Sequence, residues 1–320
     1  MKLNKVSDTG LKITEISFGA TAIASMPDTY GYSVSEEQAQ KTLERFFKGP
    51  ANMLDSSRIY GFGESENRIG RAIKKNGGWP NGFVMSTKLD RDLKTGRFDA
   101  AQARKSLEES LKALDLNHID ILHLHDPEHS NNISEITDKG GSIDELFKMK
   151  EEGIVKAVGL AMGRIDMMFP ILKDWEFDIL ISHNRYTLLN RSANEMYDYA
   201  ANKGIAIINA APYAGGMLAK GSNNFSKITY QDVKDHDLLP VKEIEKLCNK
   251  FKIDMGAAAL QFSLRDKRIS TTLCGVSRPE SIEKNLAWAK TEIPSDFWNE
   301  LSKLPYSAED PEANRIYKPS

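Results

Sequence analysis

Short apolar runs alternate with amphipathic stretches along nearly the whole chain. The run Ile119-Asp-Ile-Leu-His-Leu-His125 shows the first kind: apolar residues interrupted at regular positions, as in a strand with unlike faces. The segment 99–114 shows the second, with Ala103, Leu107, Leu111 and Leu114 on one face of a helix, as a layer covering a sheet requires. Apolar run, polar loop and amphipathic stretch recur in eight rounds. Strands are predicted near 16–20, 51–56, 83–89, 119–125, 155–161, 177–183, 205–211 and 269–276. Helices are predicted near 35–48, 65–76, 99–114, 142–152, 166–175, 192–203, 240–265 (broken) and 278–290.

Several helix ends are marked. Ser142-Ile-Asp-Glu145, Ser192-Ala-Asn-Glu195 and Ser277-Arg-Pro-Glu280 fit the capping box, in which a hydroxyl and a carboxylate satisfy free backbone N–H groups. Pro279 falls in a first turn, where a missing N–H costs nothing. Gly153 and Gly204 stand where helix C-caps belong. Strands alternating with helices imply βαβ units and a parallel sheet. Eight unbroken rounds predict an α/β fold, a closed (β/α)8 TIM barrel, as one domain over residues 1–320. Ahead of it, a β-hairpin around Asp8-Thr9-Gly10 would cap the barrel's bottom. Long loops follow strands 1, 4 and 7, and a tail runs from about 304 to 320.

Composition narrows the function classes. A net charge of −2 over 320 residues gives no footprint for a nucleic acid or an anionic membrane surface. Cys248 and Cys274 form no Cys-x-x-Cys pair, which argues against a disulfide framework or structural zinc and for a reducing compartment. The start MKLNKVSDTG has no apolar core, and no run reaches transmembrane length. The expectation is a cytoplasmic protein.

In such a barrel the chemistry gathers at the C-terminal strand ends. Strand 2 ends in Asp55, with Tyr60 in the following loop; strand 3 ends in Lys88, strand 4 in His125, strand 6 in His183 and Asn184. Strand 8 runs through Gly275-Val-Ser277 into a helix N-terminus, where free N–H groups and the helix dipole favour an anion. A lysine beside a phenol lowers its pKa, a carboxylate keeps the lysine charged, and a neutral histidine can donate to a carbonyl oxygen. Such a group suits proton transfer to an oxygen whose carbon gains or loses hydride.

The segments LDSSRIYGFGESENRIGRAI (54–73), STKLD (86–90), IDILHLHDP (119–127), APYAGGMLAKG (211–221) and GVSRPESIEKNLAWA (275–289) resemble, in order, the signature regions of the aldo-keto reductase family. RYTLL (185–189) is similar to the branch of bacterial L-fucose and D-threo-aldose 1-dehydrogenases and of L-galactose dehydrogenase. The resemblance implies an NAD(P)-dependent enzyme with the tetrad Asp55, Tyr60, Lys88 and His125. Tyr60 would be general acid in carbonyl reduction and general base in alcohol oxidation. It also implies cofactor contacts from Ala20, Thr21, Asp55, His183, Asn184, Pro212, Tyr213, Gly215, Gly275, Ser277, Arg278 and Asn285. The expected reaction is oxidation of an aldose at C1 to its lactone, with general aldehyde or ketone reduction by NADPH as the alternative. Tyr32 and Asp126, with Tyr30 and Asn131, suit a sugar or other polyhydroxylated substrate.

The chain departs from the NADPH-specific pattern. Gly275-Val276 stands where many members carry Lys-Ser, and Ser281 where they carry a further arginine. Arg278 alone remains to clamp a 2′-phosphate, so the reading leans slightly to NAD over NADP. His183 replaces the usual Gln, and Ala161-Met162 the usual Ser-Asn.

Two rival readings compete. His123 and His125 mimic the His-x-His of barrel metallohydrolases, but strands 5 and 8 supply no ligand, so no metal is expected. Some barrels of the family act as cofactor-sensing channel subunits, which a turnover assay separates from a dehydrogenase. GFGESE (61–66) lacks the third glycine of a dinucleotide loop and reads as a turn. His118 and His236 are expected at the surface and His129 in an exposed loop. His125 is assigned to the mouth. His123 lies one layer, roughly 6–7 Å, deeper, hydrogen-bonded to a neighbouring strand or to water.

Overall fold

A computed structural model of the chain describes residues 1–224, 226–313 and 315, with only the backbone of Asp235. Its strands are β1 (Leu3–Lys5), β2 (Lys12–Thr14), β3 (Ile16–Gly19), β4 (Met53–Asp55), β5 (Val84–Leu89), β6 (Ile119–His125), β7 (Val155–Ala161), β8 (Ile179–His183), β9 (Ala206–Ala210), β10 (Lys227–Ile228), β11 (Gln231–Asp232) and β12 (Thr271–Gly275). Strands β3 to β9 follow one another in parallel, and β12 pairs with both β9 and β3 to close an eight-stranded barrel. β6 and β7 coincide with the apolar runs that predicted them, and the other barrel strands differ by one or two residues at an end.

The helices are α1 (Pro27–Tyr30), α2 (Glu36–Phe47), α3 (Glu64–Asn76), α4 (Ala100–Leu114), α5 (Ser134–Thr137), α6 (Ser142–Glu151), α7 (Ile165–Asp174), α8 (Asn194–Asn202), α9 (Met217–Lys220), α10 (Leu238–Phe251), α11 (Met255–Leu264), α12 (Pro279–Ala289) and α13 (Ser295–Leu301). The break expected within 240–265 falls between α10 and α11. The short α1, α5 and α9, the β10–β11 ribbon and α13 are additions that periodicity does not reveal, because one turn of helix carries too little pattern.

The three expected capping boxes do not form. Helix α6 begins at Ser142 itself, capped by Gly141, so the hydroxyl is one position too late and stays unpartnered. Ser192 instead donates to Asn190, ahead of a helix that starts at Asn194. Arg278, not Ser277, occupies the cap of α12, and no side chain caps it. Ser35 and Asp99 do cap, accepting from the backbone N–H of Gln38 and Gln102. Gly153 and Gly204 follow their helices with φ of 76° and 73°, the left-handed turn that glycine adopts without a steric penalty.

Two cores result. Outside the barrel, strand residues such as Leu122, Leu124 and Leu160 pack under Leu107, Leu114 and Leu146 of the helices. Inside, Met53, Val84, Ile121, Ile179 and Leu273 fill the barrel. The antiparallel β1–β2 hairpin closes the bottom by adding Val6 and Ile13 to that inner layer. Ser7 ties the hairpin's turn to the carbonyls of Asp178 and Gly204. His123 occupies the next inner layer, paired in register with Lys88 on one side and Gly159 on the other. A Cβ on Gly159 would stand 2.2 Å from His123 Nδ1, so this glycine makes room for the imidazole. His123 is fully buried, and neither ring nitrogen has a hydrogen-bond partner among the described residues, so the bond to a neighbouring strand, one of the two expected partners, does not form. Burial, then the charges of Lys88 and His125, hold its pKa well below the usual imidazole value, so it is a neutral packing residue.

Candidate active site

The parallel barrel carries Asp55, Lys88 and His125 to the same end. Asp55 closes β4, Lys88 stands one residue before the end of β5, and His125 ends β6. Tyr60 arrives on the turn after β4, where Gly61 and Phe62 adopt left-handed conformations that reverse the chain before α3. A Cβ on Gly61 would lie 2.7 Å from the Cβ of Ala24, so only glycine fits there.

Lys88 Nζ donates to Asp55 Oδ2 at 2.6 Å and to the Ser56 carbonyl, and Ser86 donates to Asp55 Oδ1 at 2.7 Å. Both partners of this ion pair are almost completely buried. The ammonium lies 4.8 Å from the Tyr60 ring centroid. His125 meets the same ring edge-on at 5.7 Å between centroids. Burial first, then the carboxylates of Asp55, Asp126 and Asp90, hold the Tyr60 phenol well above the usual tyrosine value, against a hydrogen bond to Thr21. The lowering expected from the lysine does not prevail against burial and the three carboxylates. Tyr60 is therefore a proton-bearing phenol.

Asp90, the residue after β5, is a partner that sequence reasoning missed. Its Oδ1 lies 2.5 Å from His125 Nδ1. The only local signal was a carboxylate directly after a strand, which reads as an ordinary loop residue. Asp126 stands on the other side of the ring, with Oδ2 3.6 Å from Nε2. Burial lowers the His125 pKa, but Asp126 and Asp90 outweigh it and the net shift is upward.

These groups line one end of a cavity of about 640 Å³. Its mouth carries Tyr30, Tyr32 and Tyr230, with Tyr30 6.0 Å from Tyr32 and 6.1 Å from Tyr230 between ring centroids. Asn131, expected near the substrate, does not line it, and its amide bonds the Thr95 carbonyl. His129 is half-buried rather than exposed, whereas His118 and His236 are at the surface as expected. The far end of the cavity is walled by Gly215, Gly275, Ser277 and the first turns of α12. Tyr213 donates to Asn285 there, and Trp288 lies beside them. Thr21 and His183 also face the cavity, whereas Ala20, Asn184 and Pro212 stand behind its wall. Ala20 holds the wall, its N–H bonded to the Asp55 carbonyl and its carbonyl to Ser65.

Arg278 is joined at that end by Lys220 and Lys284, two cations the sequence pattern did not bring together. Lys284 lies over the Trp288 ring, 4.5 Å from its centroid. Burial and the neighbouring Arg278 lower the Lys220 pKa. The tail supplies a further wall. Buried Arg185 pairs with Asp310 and Glu312, Glu312 also meets His183 at 2.9 Å, and Arg315 reaches the cavity over Tyr230.

The cavity fits a nicotinamide dinucleotide. The uncapped N-terminus of α12 offers backbone N–H groups to an anion. Gly275 leaves open space where any side chain would intrude, and three cations surround that end. No cluster able to hold a metal ion occurs among the described residues.

A model of the Aldo/keto reductase family matches residues 15–305. The chain belongs to the aldo/keto reductase family. It is an NAD(P)-dependent oxidoreductase of small carbonyl compounds, built on the family's (β/α)8 barrel. It is 29% identical over 298 residues to L-galactose dehydrogenase of Arabidopsis thaliana, covering 92% of this chain and 90% of that one. It is 26% identical over 321 residues to D-threo-aldose 1-dehydrogenase of Pseudomonas sp, covering 92% and 94%. An aldo-keto reductase from Bacillus halodurans, solved in its holo form, shares the fold with a TM-score of 0.77 at 18% identity, covering 99% of this chain and all of that one. No helix among the described residues is long and apolar enough to cross a membrane.

Proposed function

We propose that this aldo-keto reductase oxidises an aldose at C1 to its lactone, with Asp55, Tyr60, Lys88 and His125 as its catalytic group. The carrying observation is the convergence of these four side chains on one end of a cavity whose other end is a cationic helix N-terminus. A bound nicotinamide would supply the hydride acceptor for oxidation or the hydride donor for reduction. Tyr60 takes the hydroxyl proton in oxidation and gives it back in reduction. Because its phenol is held protonated, oxidation is favoured as pH rises. Lys88, fixed by Asp55, keeps a positive charge beside the phenol, and His125 contacts the substrate oxygen.

The substrate reading rests on the mouth. Asp126 faces it as a carboxylate whose pKa, despite burial, His125, His183 and His129 pull below the usual value. A carboxylate accepts from sugar hydroxyls and repels phosphorylated or acidic substrates. The phenols of Tyr30, Tyr32 and Tyr230 add flat faces and hydroxyl partners, and relatives named for aldoses support the same class. For the cofactor, Arg278 and Lys284 supply more positive charge than the sequence pattern promised. Both NAD and NADP are accommodated, with these two residues favouring the 2′-phosphate. The free buried thiols of Cys248 and Cys274 suit a reducing, cytoplasmic setting.

The test is a screen of aldoses against NAD⁺ and NADP⁺, with fluorescence titration of both reduced cofactors. Lactone formation is expected, and Tyr60→Phe should lose about 10²- to 10⁴-fold in turnover with cofactor affinity kept. Turnover confined to simple aldehydes and NADPH would instead support the general reductase. Failure to bind either cofactor overturns both readings. Arg278→Ala should weaken NADP(H) more than NAD(H).

A further inference from the structure

The hydrogen bonds around His125 determine which of its nitrogens carries a proton. Asp90 is 2% exposed and anchored on every side. Its N–H donates to Ser106 Oγ and its carbonyl accepts from Gln102. Its Oδ2 accepts from the Ser57 hydroxyl at 2.8 Å and from the Ile59 N–H at 3.3 Å. That leaves Oδ1 aimed at His125 Nδ1. Ser57 Oγ also lies 3.3 Å from Nδ1, but its single hydrogen is already given to Asp90. Both neighbours of Nδ1 are therefore acceptors, and Nδ1 must carry a hydrogen.

A neutral imidazole holds one N–H. With that hydrogen on Nδ1, the Nε2 that faces the cavity and Asp126 is a bare lone pair. It cannot donate to a carbonyl oxygen. A neutral donor histidine, the role expected from the sequence, is therefore incompatible with this hydrogen-bond pattern.

We propose that Asp90 is a positioning residue that locks His125 in the Nδ1–H form, so that His125 donates to the substrate oxygen only as an imidazolium held between Asp90 and Asp126. This rests on the oxidoreductase reading of the site. The charged groups around the ring agree with it. Asp90 just after β5 and Asp126 after β6 favour the cation, while Lys88 from β5, the neutral His123 below, and His129 beyond Asp126 bring less. Tyr60, from the turn after β4, presents a neutral phenol. Arg91 acts on Asp126 and His129. The upward shift of His125 follows from the same arrangement.

The first test needs no activity. In protein labelled with ¹⁵N-histidine, with His125 assigned by comparison with His125→Asn, Nδ1 should stay protonated across the titration while only Nε2 gains and loses its proton. A neutral form protonated on Nε2 would overturn the proposal. The second test is kinetic. Carbonyl reduction by the wild type should fall as pH rises through the His125 pKa. In Asp90→Asn that alkaline limb should move to lower pH and kcat fall by about 10- to 100-fold, with cofactor affinity unchanged and Asp90→Glu restoring part of the loss. An unmoved limb in folded, cofactor-binding Asp90→Asn would refute the coupling. If Asp90→Asn does not fold, the ¹⁵N titration of the wild type decides alone. Absence of any carbonyl turnover by the wild type would remove the functional reading, and the same titration would then decide whether Asp90 locks the ring.

Discussion

The Lys88–Asp55 pair gives a measurable energy. Lys88→Met removes the ammonium and keeps the aliphatic volume. Asp55 then remains 3% exposed at its side chain, with the Ser86 hydroxyl as its remaining side-chain donor. A buried charge stripped of its partner costs about 3–5 kcal/mol, because it has left water without compensation. That corresponds to a fall in Tm of about 5–10 °C for a domain of this size. Asp55→Asn added to Lys88→Met removes the orphaned charge, so the double variant should recover about 2–3 kcal/mol of the loss. Urea and thermal unfolding followed by circular dichroism would read all four corners of the cycle at pH 7. Single variants within about 1 kcal/mol of wild type, or a strictly additive cycle, would show that the pair is solvated and that the argument from its burial fails.

Three further outcomes follow from other parts of the molecule. Burial, and secondly Asp126, push the Glu128 carboxyl up to about 7 from an ordinary 4.5, so the folded state binds its proton more tightly and stability falls as pH rises across that window. Glu128→Gln keeps an acceptor for the N–H groups of Gly163 and Arg164, so it should raise Tm at pH 8 and change little at pH 4; equal effects at both would refute it. Gly159→Ala should cost about 1–3 kcal/mol by driving a methyl group into His123, and His123→Ser should relieve it, as chemical denaturation would show. Arg185→Met should strand Asp310 and remove one of the cations around Glu312, loosening residues 305–313 to limited proteolysis while leaving barrel helicity intact.

The barrel was legible because its signals are local. Alternation within Ile119–His125 and the periodicity of Ala103, Leu107 and Leu114 survive in any short window. The four convergent side chains were legible because a closed parallel barrel carries every strand end to one rim, so position along a strand becomes position in space. What stayed hidden depends on meetings between distant residues. Asp90 lies 35 positions from His125, and Arg185 lies 125 and 127 positions from Asp310 and Glu312. Lys220 and Lys284 reach Arg278's end of the cavity from the last residue of the short α9 and from the middle of α12, and neither has a pattern of its own. The capping boxes misled because Ser142 differs from a cap by one position, a shift that the surrounding apolar pattern tolerates.

The pairing of Arg185 with Asp310 and Glu312 bears on how the protein is handled. Residues 305–313 stand directly behind the site, since Glu312 holds the cavity-lining His183 and the segment sits on a guanidinium that is 2% exposed at its side chain. A chain trimmed after α13 would lose the counter-charges of that guanidinium and the carboxylate that holds His183 in one cut. The β1–β2 hairpin lies at the opposite end of the barrel, so affinity tags, surface tethers and fusion partners belong on the N-terminus, a full barrel's length from the chemistry.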